Sequence, residues 1–249
     1  MRRFFVSRQE ISGGQAFIRG DELQHLVRVL RLGVGDPVIV FDGQGREYQG
    51  VIDSLSKEQA VVRLNSSLRV NRESPIDVWL AQGIAKGDKM EFIIQKAVEL
   101  GVRGIIPLAT QRTVVKLEGE KKKIKEQRWQ KVVVEAAKQC GRIRLPDVFP
   151  CTRVPDFLAG LPLNKILLVP WEKGGVPLKA VLTGKEYAFR QSCPVYILIG
   201  PEGGLEEEEV AMAAEAGGIP VTLGPRILRT ETAGLVATAV IMYQWGDIG

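Results

Sequence analysis

The last two thirds of the chain alternate short apolar segments with helical patterns, and this alternation constrains the fold more than any other feature. The apolar segments are too short for buried helices and lack a polar residue at every second position, so they predict strands buried on both faces. Such strands with helices between them predict a parallel sheet covered on both sides. The predicted strands are residues 77–81, 104–108, 165–169, 195–199 and 221–223, and the predicted helices are residues 89–100, 126–140, 205–216 and 230–243.

The first third of the chain has the pattern of a small β-rich domain. Short segments rich in Val and Ile are separated by turn residues, and this spacing predicts a compact barrel or sandwich. A helix is predicted at residues 22–32, with Arg28 and Arg31 outside its apolar stripe. Turn-forming residues mark 65–75 as a linker, which divides the chain into domains 1–72 and 73–249. The predicted strands are residues 38–41, 47–55 and 60–64.

The composition excludes several kinds of site. The 249 residues include one histidine, His25, and three cysteines, and the net charge is +5. The cysteines lack the Cys-x-x-Cys spacing of a Cys/His zinc site and are odd in number for a disulfide framework, and His25 lies far from any nucleophile motif. No apolar run approaches the ~20 residues of a membrane-spanning helix. We therefore expect a soluble cytoplasmic protein without a metal site, since unpaired thiols suit a reducing compartment.

A predicted strand, a glycine turn and a helix start follow one another at residues 197–210. The turn reads G-P-E-G-G from Gly200 to Gly204, and a glycine turn before a helix often binds the phosphate of a nucleotide. Here, however, four glutamates at 206–209 occupy the first helical turn, where they stabilise the helix dipole and would repel a phosphate. A neutral or cationic ligand held by backbone groups fits better, and a capped turn without any ligand is the alternative.

A second glycine turn, at residues 223–229, leads into the last helix. Thr230 can cap that helix through its hydroxyl, and residues 233–242 are apolar on almost every side. A helix without a polar face must be buried all round, so we expect the sheet on one side and a second subunit on the other. Arg226 and Arg229 lie in this otherwise apolar turn, where solvation or pairing with a carboxylate would be their simplest roles.

These two turns together resemble the RsmE family. The motifs are I-G-P-E-G-G-L-x-x-x-E from Ile199 and L-G-x-x-I-L-R-x-E-T-A-x-x-x-A-T from Leu223. Blocks along most of the chain are similar to the same family. They are R-R-F-F-V at 2–6, H-L-x-x-V-L-R-L at 25–32, G-D at 35–36, K-G-D-K-M-E at 86–91 and E-A-A-x-Q-x-G-R at 135–142.

The resemblance implies an α/β fold, with a knotted parallel-sheet SPOUT methyltransferase domain after a small β-barrel (PUA-like) RNA-binding domain. It implies methylation of N3 of a uridine in 16S ribosomal RNA of the small subunit, with S-adenosylmethionine as the cofactor and a homodimer formed through the last helix. The sulfonium cation of this cofactor agrees with the glutamates after Gly204. The implied cofactor contacts are Leu198, Gly200, Gly203, Leu223, Gly224, Leu228 and Ala233, and the implied RNA contacts are Arg2, Arg3, Arg28, Arg31, Lys86, Lys138 and Arg142.

Methyl transfer to N3 requires an unpaired or flipped uridine, a route for the imino proton and stabilisation of charge on the uracil oxygens. Arg229 is predicted to orient the uracil or stabilise its anion, with Arg226 as the second candidate. Glu231 either orients an arginine or accepts the proton, and Glu202 is the alternative. Three other functions stay open: a knotted methyltransferase for another base or ribose, a non-catalytic RNA-binding assembly protein, and a nucleotide-dependent oxidoreductase, which the glutamates at 206–209 disfavour.

Positive charge is concentrated between residues 121 and 144. This segment has nine Lys and Arg against two Glu, an excess larger than that of the whole chain. Such a patch is the electrostatic footprint expected of phosphate binding, although a solvated helix face has the same composition. The basic positions are 121, 122, 123, 125, 128, 131, 138, 142 and 144.

Overall fold

A computed structural model describes residues 1–68, 71–114, 119–184 and 193–249. These residues form two units with separate apolar cores. The first unit contains Met1–Glu73 and Val134–Leu145, and the second contains Ser74–Val133 and Pro146–Gly249. No sequence pattern indicated that residues 134–145 group with the N-terminal part. The division into 1–72 and 73–249 therefore stays a prediction, and it leaves this segment out of the first unit.

The first unit is built on a six-stranded sheet. The strands are β1 (Arg2–Phe5), β2 (Ile11–Ser12), β3 (Gln15–Ile18), β4 (Pro37–Phe41), β5 (Glu47–Leu55) and β6 (Ala60–Leu68). They lie in the order β1-β4-β5-β6-β3-β2, and only the pair of β1 and β4 is parallel. Phe4, Leu26, Val40 and Ile52 are fully buried in its core. The three predicted strands are present, and β1 to β3 are additional.

Two predictions for this unit are corrected. The prediction of a linker at 65–75 is wrong for its first residues, because residues 65–68 continue β6, and residues 66–68 pair with the first residues of the long strand β5. The predicted helix at 22–32 is irregular, because α1 (Gly20–Gln24) continues as a π-helical turn at His25–Val29. A separate 3₁₀ turn lies earlier in the chain, at Arg8–Glu10. The wider π turn leaves Val27 39% exposed although Leu26 is buried.

The second unit confirms the alternation of strands and helices. Its strands are β7 (Val78–Gly83), β8 (Gly104–Ala109), β9 (Asp147–Val148), β10 (Thr152–Arg153), β11 (Ile166–Pro170), β12 (Val176–Pro177), β13 (Val195–Ile199) and β14 (Gly218–Thr222). Its helices are α2 (Lys89–Glu99), α3 (Gly119–Cys140), α4 (Val154–Ala159), α5 (Leu178–Thr183), α6 (Glu207–Glu215) and α7 (Thr230–Trp245), and the last turns of α3 belong to the first unit.

The strand order shows where the chain crosses itself. The strands lie in the order β10-β8-β7-β13-β11-β14-β12, with β9 beside β8, and all pairs are parallel. Although β14 lies beyond β11, the helix that follows it, α7, packs against β7, β13 and α2. The chain therefore passes back across the loops that follow β11 and β13. Ligands bind at such carboxyl-end edges of parallel sheets.

Helix α7 is only half buried within one chain. Gly234, Ala237 and Ile241 are buried, whereas Val240 is 39% and Tyr243 is 69% exposed. The expectation of burial on all sides is therefore not met by this chain alone.

Across the described ranges, we find no helix with the length and apolar character needed to cross a membrane.

Candidate active site in the crossing loops

Three loops of the second unit enclose a cavity of about 470 Å³. The loops follow β11, β13 and β14, and the first turn of α7 also contributes. The lining comes from residues 170–172, 199–205 and 222–231, together with Lys89 and Ala233. Two of these loops are the glycine turns singled out in the sequence, so the structure brings both turns to one place.

The G-P-E-G-G loop turns back on itself after β13. A Cβ atom on Gly200 would lie 2.6 Å from the carbonyl carbon of Gly204, closer than atoms of folded proteins approach. Gly204 has a φ of +74°, and a Cβ atom there would lie 2.7 Å from Oε1 of Glu172. Because side chains fit at neither position, this loop presents backbone atoms to the cavity.

Buried hydrogen bonds connect the start of α7 to this loop. The Thr230 hydroxyl donates to the Gly200 carbonyl at 2.6 Å and accepts from Nε2 of Gln82 at 2.8 Å. Thr230 was expected to cap α7, but it is the first helical residue and Arg229 is the N-cap, without a side-chain hydrogen bond. The hydroxyl instead satisfies a buried carbonyl, which would be costly to leave unpaired.

The glutamates after the loop anchor it. Glu206 and Glu209 form a capping box at the start of α6. Arg112 donates to both carboxylate oxygens of Glu206, at 2.7 and 2.9 Å, and to the Gly203 carbonyl at 2.7 Å. These hydrogen bonds from Arg112 hold the pKa of Glu206 below its ordinary value. Arg112 thus fixes the loop, a role that no sequence pattern indicated.

Acidic and basic side chains meet at the Lys89 side of the cavity. The Nζ atom of Lys89 lies 3.4 Å from Oε1 of Glu202 and 3.3 Å from Oε2 of Glu231. Burial by itself raises the pKa of Glu202, but hydrogen bonds from the backbone N–H of Lys86 and from Lys89 outweigh it, so this pKa is lowered. Glu202 is therefore a carboxylate at neutral pH. Glu231 pairs with a lysine and not with an arginine.

Arg226 and Arg229 line the cavity and are exposed. Within the described ranges, neither guanidinium has an ion pair or a hydrogen bond to the protein. The simple alternative that they pair with a carboxylate is not realised. Both groups are therefore available to a ligand in the cavity.

Most of the predicted cofactor contacts are brought together here. Leu198 is the exception, because it is fully buried in the core of the second unit. The loop after β11 had not been singled out, and its residues Pro170, Trp171 and Glu172 form a third wall. The only sequence signal for it is the glycine pair at 174–175 after an apolar strand. The predicted contacts that line the cavity are Gly200, Gly203, Leu223, Gly224, Leu228 and Ala233.

The predicted RNA contacts divide into exposed residues and residues buried in ion pairs. Arg2, Arg28, Arg31 and Lys86 are exposed. The other three have compensated charges within the first unit, so the structure gives them a positioning role there. Their pairs are Arg3 with Glu47 at 2.7 Å, Lys138 with Glu22 at 2.8 Å and Arg142 with Glu73 at 2.7 Å.

Charged groups of both signs line the cavity, since Lys89, Arg226 and Arg229 face it together with three carboxylates. Three carboxylates, those of Glu172, Glu202 and Glu231, line it. The Nε1–H group of Trp171 is buried and has no acceptor among the described residues, so it can donate to a ligand. No group of three or more His, Cys, Asp or Glu side chains that could hold a metal ion occurs in the part of the chain that the structure describes.

Known proteins with the same features are RNA methyltransferases. The model of the RNA methyltransferase domain matches residues 72–242, and that of the RNA methyltransferase PUA domain matches residues 18–65. The ribosomal RNA small subunit methyltransferase E of Bacillus subtilis is 37% identical over 98% of this chain and 97% of its own length.

Two solved structures are similar over their whole length. The ribosomal RNA small subunit methyltransferase E of Neisseria gonorrhoeae, bound to S-adenosyl methionine, has 34% identity and a TM-score of 0.90 over 99% of both chains. A methyltransferase of Legionella pneumophila in complex with the bound cofactor SAM has 34% identity and a TM-score of 0.88, over 99% of this chain and 98% of that one.

Proposed function

Because the chain belongs to the RsmE family of RNA methyltransferases, we propose that it methylates N3 of a uridine in 16S ribosomal RNA of the small subunit. Its second unit has the SPOUT methyltransferase fold with a trefoil knot, and a PUA domain precedes it. The observation that carries the proposal is the cavity at the crossing, which is lined by backbone of glycine loops and by carboxylates.

The cofactor is S-adenosylmethionine, which when bound supplies a methyl group on a positively charged sulfur. The cavity fits this group, since its glycine loops leave room for close backbone contact and carboxylates are among the lining groups that can face a positive charge. We assign the contacts to the backbone of Gly200, Gly203 and Gly224, with the Trp171 Nε1–H as an additional donor. The match of residues 72–242 to the RNA methyltransferase domain argues against an oxidoreductase.

The target uridine must leave its stack to reach the cavity, because N3 lies on the base-pairing edge. Arg229 orients the uracil and stabilises the charge that develops on its oxygens, and Arg226 is placed to bind the flanking phosphate or the same base. Their lack of protein partners supports these roles. Glu231 accepts the imino proton, since Glu202 is already held by the backbone N–H of Lys86.

A homodimer and a cytoplasmic location complete the proposal. The exposed apolar side chains of α7, Val240 and Tyr243, lie on the helix that also packs against α2, where Phe92 is 48% exposed. Exposed apolar side chains on two helices that pack together are typical of an interaction site, and we propose a second copy of the chain as the partner. Ribosomal RNA, the substrate, is cytoplasmic in bacteria.

The direct test is to map the modified nucleosides of 16S ribosomal RNA from cells with and without the gene. We expect one N3-methyluridine to disappear in its absence and to return with the purified protein and S-adenosylmethionine. If a ribose-methylated nucleoside or another methylated base disappeared instead, the substrate would be that nucleoside and not the N3 atom of a uridine. An unchanged nucleoside pattern, together with RNA binding, would indicate a non-catalytic assembly protein.

The role of Arg229 is tested by the variant Arg229→Ala. Removal of one group that stabilises transition-state charge lowers turnover roughly 100- to 1000-fold, whereas calorimetry should find S-adenosylmethionine bound nearly as before. Arg103→Ala is the control, because Arg103 lies at the opposite ends of the strands, outside the cavity lining, and its ion pair is with Asp77 at 3.9 Å. Undiminished methylation by Arg229→Ala would refute the assignment.

A further inference from the structure

Lys89 lies between two carboxylates that come from different loops. It is the first residue of α2, Glu202 belongs to the G-P-E-G-G loop, and Glu231 is in the first turn of α7. The Nζ atom of Lys89 lies 3.4 Å from Glu202 Oε1 and 3.3 Å from Glu231 Oε2. All three side chains line the cavity, so one ammonium group joins the three elements beside the site of methyl transfer.

We propose that Lys89 is a positioning residue for the methylation reaction, which keeps Glu231 ionised and directed into the cavity so that Glu231 can take the N3 proton of the target uridine. This inference rests on the proposed function and assigns a role to a lysine that had none. In the step itself the N3–H bond breaks, its electron pair stays on N3, and the proton goes to a carboxylate oxygen of Glu231.

The two carboxylates differ in what holds them. Oε1 of Glu202 accepts a hydrogen bond from the backbone N–H of Lys86 at 3.0 Å. Oε2 of Glu231 is buried and has no hydrogen-bond donor among the described residues, because Lys89 is close to it but not in hydrogen-bonding geometry. Glu202 is thus fixed, whereas Glu231 turns its buried Oε2 toward Lys89, which leaves its other oxygen, Oε1, to receive the proton.

The charge of Lys89 determines how readily Glu231 binds a proton. Two like charges beside each other disfavour ionisation of both, and an opposite charge within ~4–6 Å restores it. Without the ammonium group the fixed Glu202 would stay charged, and Glu231 would bind a proton more readily. Uracil then loses its proton acceptor. The charged groups that face the cavity are Lys89, Glu172, Glu202, Arg226, Arg229 and Glu231.

The test compares the pH dependence of kcat for the wild-type protein and for Lys89→Met, which keeps the aliphatic stem and removes the charge. Because the carboxylate is the reactive form of Glu231, the acid limb of the profile should move to higher pH by about one unit. Lys89→Arg should bring it back. Lys96→Met is the matched control on the same helix, since Lys96 pairs with Glu99 and does not line the cavity.

A second variant, which should move the acid limb in the opposite direction, distinguishes the proposal from a purely structural effect. Glu202→Gln removes the carboxylate that competes for Lys89, so the acid limb should move to lower pH. A merely structural role for Lys89 would lower kcat at every pH without moving the limb, and that result would overturn the inference. So would a Glu202→Gln profile that moves in the same direction as that of Lys89→Met.

A second readout needs neither cofactor nor turnover. In protein labelled with ¹³C at the glutamate carboxyl groups, the Glu231 signal, assigned with Glu231→Gln, can be titrated by NMR. It should titrate at higher pH in Lys89→Met than in the wild type, and an unchanged titration would overturn the coupling. If wild-type protein produced no N3-methyluridine, the proposed function would fail separately, and this titration would still decide whether Lys89 controls Glu231.

Discussion

The cationic side chains of the cavity and those of the first unit are placed in opposite ways. Arg226 and Arg229 are exposed and have no ion pair in the described part of the chain. In the first unit, by contrast, the side chain of Arg142 is only 6% and that of Lys138 only 8% exposed, and each pairs with a carboxylate. The same residue types thus face the cavity without an ion pair among the described residues in one region and hold the chain together in the other.

This difference shows what a count of charges cannot reveal. The carboxylates that compensate the buried cations come from distant parts of the chain: Glu73 is 69 residues from Arg142, and Glu22 is 116 residues from Lys138. A buried cation without such a partner would be unstable. The basic segment at 121–144 is therefore not uniform, because Lys138 and Arg142 are neutralised by carboxylates whereas Lys121 and Lys123 are exposed.

The largest effect is expected where a buried pair is broken. Arg142→Met leaves Glu73 buried without its guanidinium, which typically costs about 3–5 kcal/mol. The free energy of unfolding, measured with urea, should fall by about this amount, and Arg142→Met with Glu73→Gln should recover part of it. Arg144→Met, at an exposed neighbouring position, is the control. Equal stability of the two single variants would contradict the comparison.

A smaller loss of stability should accompany acidification. Burial raises the pKa of Glu73, but hydrogen bonds from Arg142 and from the backbone of Arg144 and Ile143 outweigh it, so this pKa lies below its ordinary value of 4.5. A carboxyl group with a lowered folded pKa stabilises the protein above its unfolded pKa, and this contribution is lost as the pH falls through the folded value. Urea midpoints between pH 7 and 3 should therefore fall less steeply for Glu73→Gln than for the wild type. Parallel curves would show that Glu73 is not the group responsible.

At the exposed end of the basic segment, the expected effect is on RNA binding and not on stability. In the part of the chain that the structure describes, Lys121, Lys123 and Lys125 on α3 have no ion pair. Replacing all three by Gln should reduce the slope of log K against log salt by about 2, at ~0.7 per contact with single-stranded RNA, and leave the urea midpoint unchanged. Lys138→Gln, by contrast, should lower the urea midpoint and leave the salt slope unchanged. An unchanged salt slope in the triple variant would place the RNA elsewhere.

The sequence predicts what depends on neighbours along the chain. Five of the eight strands described in the second unit, the glycine loops and the exposure of Arg28 follow from local patterns, and the structure agrees with them; the two-residue strands β9, β10 and β12 were not predicted. Contacts between distant residues leave no such pattern. The pairing of Arg112 with Glu206, the donor of Trp171 and the position of Lys89 between two carboxylates depend on which loops the crossing brings together, so they could not be read from composition or spacing.

The smallest effect tests whether burial, and not distance, separates the two classes of ion pair. Arg153 and Asp156 form a pair at 2.8 Å, nearly as short as that of Arg142 and Glu73, but the arginine side chain is 74% exposed. Water screens such a pair, and holding two mobile side chains together offsets the remaining attraction. Arg153→Ala should therefore leave the urea midpoint unchanged, although its hydrogen bonds with Asp156 lower the pKa of that carboxyl group. If this variant lost as much stability as Arg142→Met, the short N···O distance alone would account for the stability of both pairs. The arginines of the cavity would then differ from Arg142 only in having no carboxylate nearby.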